Sequence, residues 1–260
     1  METGGCQLQV CLTSWINHQL RPRQKIVTDL LYDLRSGDLL LDLVNSLHHG
    51  DQLVQVQDTG GLSMAKMANI TTVLSHLQRE RVKLDTDLVT AQLLIEGHKE
   101  ATIHLVWAIA FHYETRAALG SIRLPSQLSS PNMEVILMAW VTQVCPHVSN
   151  LTSDFADGQV LAKLVLSSKH SMIGLTSLTE NSSSSSDISG RIVSIINEQL
   201  NLPPLLQFLP QIPDKKVTIL YLLCLAKTLG PNITAEMIAG EYLSNMSTRI
   251  LFEFYYLLWD

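Results

Sequence analysis

Histidine, cysteine and serine are the side chains here that could ligate a metal or drive nucleophilic chemistry, and their spacing decides whether they do. Nine histidines include one adjacent pair, His48-His49. Neighbours on a helix point about 100° apart, so the pair cannot easily close on one ion, and a solvated helix end accounts for it. His104 and His112 sit in an apolar helical segment, where satisfied core or interface histidines are the default. Cys6, Cys11, Cys145 and Cys224 form no Cys-x-x-Cys pair and no His/Cys ligand spacing, and four cysteines in 260 residues are not a disulfide scaffold. His-Glu-x-x-His, Gly-x-Ser-x-Gly and the Gly/Lys phosphate loop are all absent. The expectation is therefore no catalytic residue, no metal, no cofactor and no enzyme. The run from Ser182 to Ser186, followed by Asp187, could accept phosphate, with Ser184 the candidate.

What remains is binding surface, and the elements that carry it follow from composition and periodicity. Hydrophobic residues are 46% of the chain and charged residues 16%, enough apolar material for packed cores. The formal net charge of −6 argues against a phosphate-neutralising nucleic-acid binder and against purely electrostatic attraction to an acidic filament. The runs VTILYLLCLA and ILFEFYYLLW are too short to span a bilayer. METGGCQLQV lacks the basic and apolar regions of a secretory signal. The N-x-S/T triplets at Asn69, Asn150, Asn181, Asn232 and Asn245 are then incidental, and a reducing intracellular compartment is expected.

Apolar residues recur at three- and four-residue steps: Leu30, Leu31 and Leu34; Leu39, Leu40, Leu43, Val44 and Leu47; Ile70, Val73, Leu74 and Leu77; Ile103, Val106, Trp107, Ala110 and Phe111. No alternating run predicts a hairpin. The expected fold class is all-α. Gly, Pro and Ser between strong helical patterns mark a linker over 116–131, and the Ser-rich stretch 176–190 reads as a mobile surface loop. The halves on either side of the linker repeat one another. DLRSGDLLLDLV (33–44) matches DFADGQVLAKLV (154–165) at Asp33/Asp154, Gly37/Gly158, Leu40/Leu161, Leu43/Leu164 and Val44/Val165. A Trp-bearing helix precedes each motif (CLTSWINHQL, MEVILMAWVTQV), and a very apolar helix closes each half (KEATIHLVWAIA, KKVTILYLLCLA). Three blocks in the same order predict one domain written twice. In the motif, Gly37 and Gly158 allow a turn without a Cβ penalty, Ser36 and Asp157 cap the next helix, and the following Leu, Leu and Val face the core.

The Trp-bearing first helix, the D-L-x-x-G-x-x-L-x-x-L segment and a last helix of the type T-x-x-L-x-W-x-I resemble the calponin homology domain. VSNLTSDFADGQVLAKLV and IPDKKVTILYLLCLA are similar to the second domain of tandem pairs. The resemblance implies two calponin homology domains in tandem, each a compact bundle of about four main helices: 8–115, the linker, and 132–230, followed by a helical tail over 231–260. WINHQL and VTDLLYDLRSGDLLLDL look like spectrin-type actin-binding pairs. GHKEATIHLVWAIAFHYE, LMAWVTQVC and the Ser-rich insertion look closer to the abnormal-spindle (microcephaly-associated) family. The leading expectation is a non-enzymatic spindle protein at microtubules and spindle poles, cytoplasmic and nuclear in interphase. The alternatives are a spectrin-type F-actin-binding module and an adaptor for other protein partners. Neither nucleic acid nor membrane is an expected partner. The abnormal-spindle resemblance is to a calmodulin-binding family, but calmodulin stays an open partner here because the IQ helices that would bind it are not in this sequence.

In tandem pairs that bind F-actin, contact comes from the first and last helices of domain one and the first helix of domain two. That resemblance assigns Trp15, Ile16, Trp107 and Trp140 to the cores. It nominates their outward neighbours Thr13, Asn17, His18, Gln19, His104, Ala108, His112, Glu134 and Gln143 as contacts. The basic cluster Arg21, Arg23 and Lys25 adjoins the first of these helices and could steer an acidic filament locally. A second cluster, Arg79, Arg81 and Lys83, reads as ordinary helix-end charge.

Overall fold

The computed structural model describes residues 3–48, 52–54, 62–121, 132–168, 174–175, 186–206 and 212–233. Among them are ten α-helices and no strand, so the protein is all-α. No helix of the described residues is long and apolar enough to cross a membrane. The chain divides into two compact units, Met1–Glu114 with Pro203–Leu205, and Thr115–Leu202 with Leu206–Asp260.

The first unit opens with α1 (Thr3–Leu20). Leu8, Cys11, Leu12, Trp15, Ile16 and Leu20 recur at helical spacing along it, and all six are buried, which gives the helix one apolar stripe to pack. A short α2 (Leu30–Asp33) starts where the Asp29 carboxylate accepts from the Leu31 and Tyr32 amides, satisfying donors that a helix start leaves open. Then come α3 (Asp38–Leu47), α4 (Leu62–Arg79), α5 (Ala91–Glu96) and α6 (Lys99–Ser121). Thr90 caps α5 through its hydroxyl, and Gly97 ends it in the left-handed region. The long α6 buries Ala101, Leu105, Val106, Ile109, Ala110 and Tyr113.

The second unit contains α7 (Met133–Val144), α8 (Gln159–Leu166), α9 (Ser186–Leu200) and α10 (Lys215–Leu229). Every residue from Val217 to Ala226 is buried, so α10 is enclosed on all sides and forms the centre of this unit. Burial raises the pKa of the Tyr221 hydroxyl, which donates to Asn197 Oδ1 on α9 at 2.7 Å.

The two halves agree in atomic detail at the Asp-x-x-x-Gly corner. Asp33 Oδ2 accepts from the Thr28 and Asp29 amides at 2.7 and 2.9 Å and from the Thr28 hydroxyl at 3.0 Å. Asp154 Oδ2 accepts from the Ser149 and Asn150 amides at 2.7 and 3.1 Å and from the Ser149 hydroxyl at 3.2 Å. Four residues later the chain turns at Gly37 (φ 79°) and Gly158 (φ 72°), a region where a Cβ is strained. Ser36 Oγ then accepts from Asp38 N at 3.3 Å, and Asp157 Oδ1 accepts from Gln159 N at 2.9 Å, as the sequence predicts. Leu40, Leu43, Val44, Leu161, Leu164 and Val165 are all buried.

Two expected boundaries shift. The linker begins later than residue 116, because α6 runs on to Ser121: Arg116, Ala117, Ala118 and Leu119 are good helix formers, and Ala118 is fully buried. The end of the Ser-rich stretch is helical, since α9 starts at Ser186 and Ser189 is already buried beside Ile192, Val193 and Ile196. The rest of that stretch, Ser184, His49 and the tail after residue 233 lie outside the described residues.

The two corners differ in slack. A Cβ on Gly37 would stand 2.8 Å from Asn69 Cβ and 3.0 Å from the Ile70 backbone nitrogen, whereas on Gly158 the nearest atoms are at 3.5 Å. Gly158→Ala therefore carries the left-handed penalty alone, about 1 kcal/mol. Gly37→Ala adds overpacking against α4, for a total of roughly 2–4 kcal/mol; urea denaturation of the two single variants measures the difference.

The corner aspartates also set an acid dependence. The Asp29 amide first, then that of Thr28, hold Asp33 below the usual carboxylate range; the Ser149 amide, with that of Asn150 and two hydroxyls, does the same for Asp154. Their stabilisation is complete above the unfolded-state pKa of about 3.9 and is lost as pH falls through the lower folded values. Asp33→Asn and Asp154→Asn are expected to flatten the loss of stability between about pH 5 and pH 2, read from urea midpoints across that range.

Candidate functional site

The nominated contact residues sit on α1, the loop after it, α6 and α7, and what holds these elements decides which side chains stay available. Trp15 Nε1 donates to Glu114 Oε1 at 2.9 Å, and Gln19 Nε2 donates to the same oxygen at 3.1 Å. Glu114 is only 2% exposed, so this carboxylate joins the end of α6 to α1 from inside the unit. Hydrogen bonds of this kind to a charged group are worth about 1.5–3 kcal/mol.

Several nominated residues are therefore structural. Gln19 is committed to Glu114. Asn17 clasps the Val27 backbone in both directions, donating from Nδ2 to its carbonyl at 2.9 Å and accepting from its amide at 2.7 Å, which fixes the loop that follows α1. Thr13 bonds its hydroxyl back to the Gln9 carbonyl at 2.9 Å and is half-buried. Ala108 is 8% exposed and belongs to the core; the sequence argument placed it outward because it adjoins Trp107. That tryptophan is itself only half-buried and stacks on Phe111 with ring centroids 5.5 Å apart, unlike the buried Trp15, Ile16 and Trp140. His18, His104 and His112 are half-buried, His112 edge-on to the Tyr113 ring. On α7, Gln143 is exposed, and Glu134 forms an ion pair with Lys215 at 2.5 Å.

The basic cluster is more neutral than its sequence suggests. Arg23 reaches Ser46 Oγ at 2.8 Å and Asp42 Oδ1 at 3.3 Å, and Lys25 pairs with the other oxygen of the same Asp42. Arg21 is the exposed arginine of the segment, Arg23 being half-buried. Two apolar side chains that periodicity did not single out are exposed in the segments that follow, Ile26 directly after Lys25 and Tyr32 on α2, each 69% exposed. The Arg35 guanidinium lies 5.8 Å from the Tyr32 ring centroid while its Nε donates to the Ile95 carbonyl at 2.6 Å. The only sequence signal for them was negative: both fall outside the helical stripe. In the second cluster, Arg79, Arg81 and Lys83 are exposed, as helix-end charges usually are.

One group of chemical residues is brought together that sequence spacing left apart. His48, just past α3, lies with its ring centroid 4.8 Å from that of His76 on α4, and its Nδ1 is 4.0 Å from Glu80 Oε1. Burial first, then the neighbouring His48 and Arg79, hold the His76 pKa below its usual value, against the pull of Glu80.

Residues 7–115 match the calponin homology (CH) domain family, and that segment is nearly coextensive with the first unit. Residues 7–115 are a CH domain. Utrophin of Rattus norvegicus is 26% identical over 235 residues, covering 87% of this chain and 7% of that protein. Filamin-C of Rattus norvegicus and of Mus musculus is each 24% identical over 159 residues, 60% of this chain and 6% of the relative. The chain thus spans less than a tenth of the length of these relatives. They stand with the spectrin-type alternative, and nothing in them supports the abnormal-spindle expectation.

Reversing the charge of Arg21, Arg23 and Lys25 together would disturb the CH domain as well as its surface. Arg21→Glu is expected to leave stability within about 0.5 kcal/mol of the parent. Arg23→Glu, which places a carboxylate against Asp42 and releases Ser46, is expected to cost about 1 kcal/mol. Thermal unfolding of the two single variants checks the contrast.

Proposed function

We propose that the chain is an F-actin-binding module of the spectrin type, with a second CH domain following the first. The observation that carries this reading is the extent of the likeness to utrophin: 235 residues, 87% of the chain, well past residue 115 where the family match ends. The paired Asp33/Asp154 corners, with the same three hydrogen bonds each, support a duplicated domain.

In this reading the filament meets the outer faces of α1, α6 and α7. Of the nominated residues, His18, Arg21, His104, His112 and Gln143 remain as contacts, with Thr13 at the margin. Ile26 and Tyr32 join them: exposed apolar groups beside a cation are the composition that interfaces favour. Asn17, Gln19 and Ala108 act by holding the surface in place.

A second reading is an adaptor for a non-filament protein. It is favoured by the net charge of −6 and by Asp42, which neutralises two of the three cations next to α1. Microtubule attachment of the abnormal-spindle kind is the remaining arm of the same test.

Co-sedimentation of the full chain with F-actin and with stabilised microtubules, at low and moderate salt, separates the three. Pelleting with F-actin alone, weakened about tenfold or more by Arg21→Glu combined with Tyr32→Ala, is the expected result. Pelleting with microtubules alone would move the assignment to the spindle type. Absence from both pellets would leave the adaptor.

A further inference from the structure

We propose that His48, His76 and Glu80 form a transition-metal site of the zinc class that pins the end of α3 to the end of α4. One potential donor atom from each residue lies within 4.8 Å of the other two. His76 and Glu80 are four residues apart, and the Glu80 amide still bonds to the His76 carbonyl at 2.9 Å. The helical turn therefore continues past α4 and puts both on one face. His48 arrives from the other element, its amide held by the Val44 carbonyl at 2.9 Å at the end of α3.

The donor set selects the ion. Two imidazoles and a carboxylate suit Zn²⁺ and its first-row neighbours, whereas Mg²⁺ and Ca²⁺ require oxygen ligands. Three protein ligands leave a fourth, tetrahedral position for water. Donors around zinc stand about 3.3–3.5 Å apart, given bonds of about 2.0–2.1 Å, so the group, 4.8 Å at its widest, must contract by up to about 1.5 Å. The arrangement allows this. His76 is the fixed member, 6% exposed, with the Tyr113 hydroxyl 3.4 Å from its Nε2, an outer partner of the kind that orients a ligating imidazole. The His48 and Glu80 side chains are 25% and 22% exposed and can close on it from the solvent side. The nearest opposing charge, Arg79, turns its Nε back to the Ser75 carbonyl at 3.4 Å.

The competing account of the same geometry is a plain His48–Glu80 ion pair, and a titration tells the two apart. The full chain, stripped with a chelator, is titrated with Zn²⁺ against a chromogenic chelator, and its Tm is followed in parallel. The expected result is one equivalent bound more tightly than about 10 μM, with a rise in Tm of about 3–6 °C at saturation and no response to Mg²⁺. His48→Asn and Glu80→Gln should each weaken Zn²⁺ at least about tenfold, and Tyr113→Phe about tenfold through the outer partner. Each variant is compared with its own metal-free Tm, so a loss of fold stability is not mistaken for a loss of metal. No binding below about 100 μM, or binding that both His48→Asn and Glu80→Gln retain, would overturn the proposal.

Discussion

A single buried carboxylate closes the first unit. Glu114 lies 99 residues from Trp15 in sequence, yet one of its oxygens receives both Trp15 Nε1 and Gln19 Nε2. An acidic group at 2% exposure is tolerable only when donors meet it, so the two side chains of α1 and the last turns of α6 specify one another. The outer surface follows from that. With Trp15 drawn inward, His18 and the loop at residues 21–26 are left at the edge, and Asn17 fixes the loop through Val27. Removing the carboxylate would orphan an indole N–H in the core and loosen the helix that carries the candidate contacts.

The glycine turn, the caps and the core residues of the Asp-x-x-x-Gly corner were legible in sequence because each is local; the work of its aspartate, equally local, was not read. An aspartate accepts from amides four and five residues back, a glycine follows after four, and the core residues follow at helical steps. The helices that bury one stripe, such as α1 and α3, were legible for the same reason. What sequence could not supply were pairings across long separations. Gln19 reads as an outward polar residue until Glu114 is placed beside it. Ala108 reads as the neighbour of a core tryptophan, although in α6 it is the alanine that is inside and Trp107 that is half outside. His48 was weighed against His49 because they are adjacent, while its spatial neighbours come from 28 and 32 positions away.

Charge shows the same limit from another side. Arg21, Arg23 and Lys25 form a basic run on paper, but one carboxylate, Asp42, takes up two of them. The potential beside α1 is therefore set by Arg21 together with whatever ions are in solution, and it decays within a Debye length of about 8 Å at physiological salt. In the proposed interface, adhesion rests on the exposed Ile26 and Tyr32 and charge serves only approach. That division is consistent with a chain whose overall charge is negative.

The buried sulfurs give each unit a built-in clock. Cys11 lies inside the first unit, Cys145 and Cys224 inside the second, and all three are buried outside any disulfide. Burial also raises the Cys145 pKa, and the thiolate is the reacting species. A thiol reagent must therefore wait for the surrounding helices to part. The pace at which Cys11 is modified records opening of the CH domain, and the pace at Cys145 and Cys224 records opening of its neighbour. One chain thus carries separate chemical timers for the breathing of its two halves.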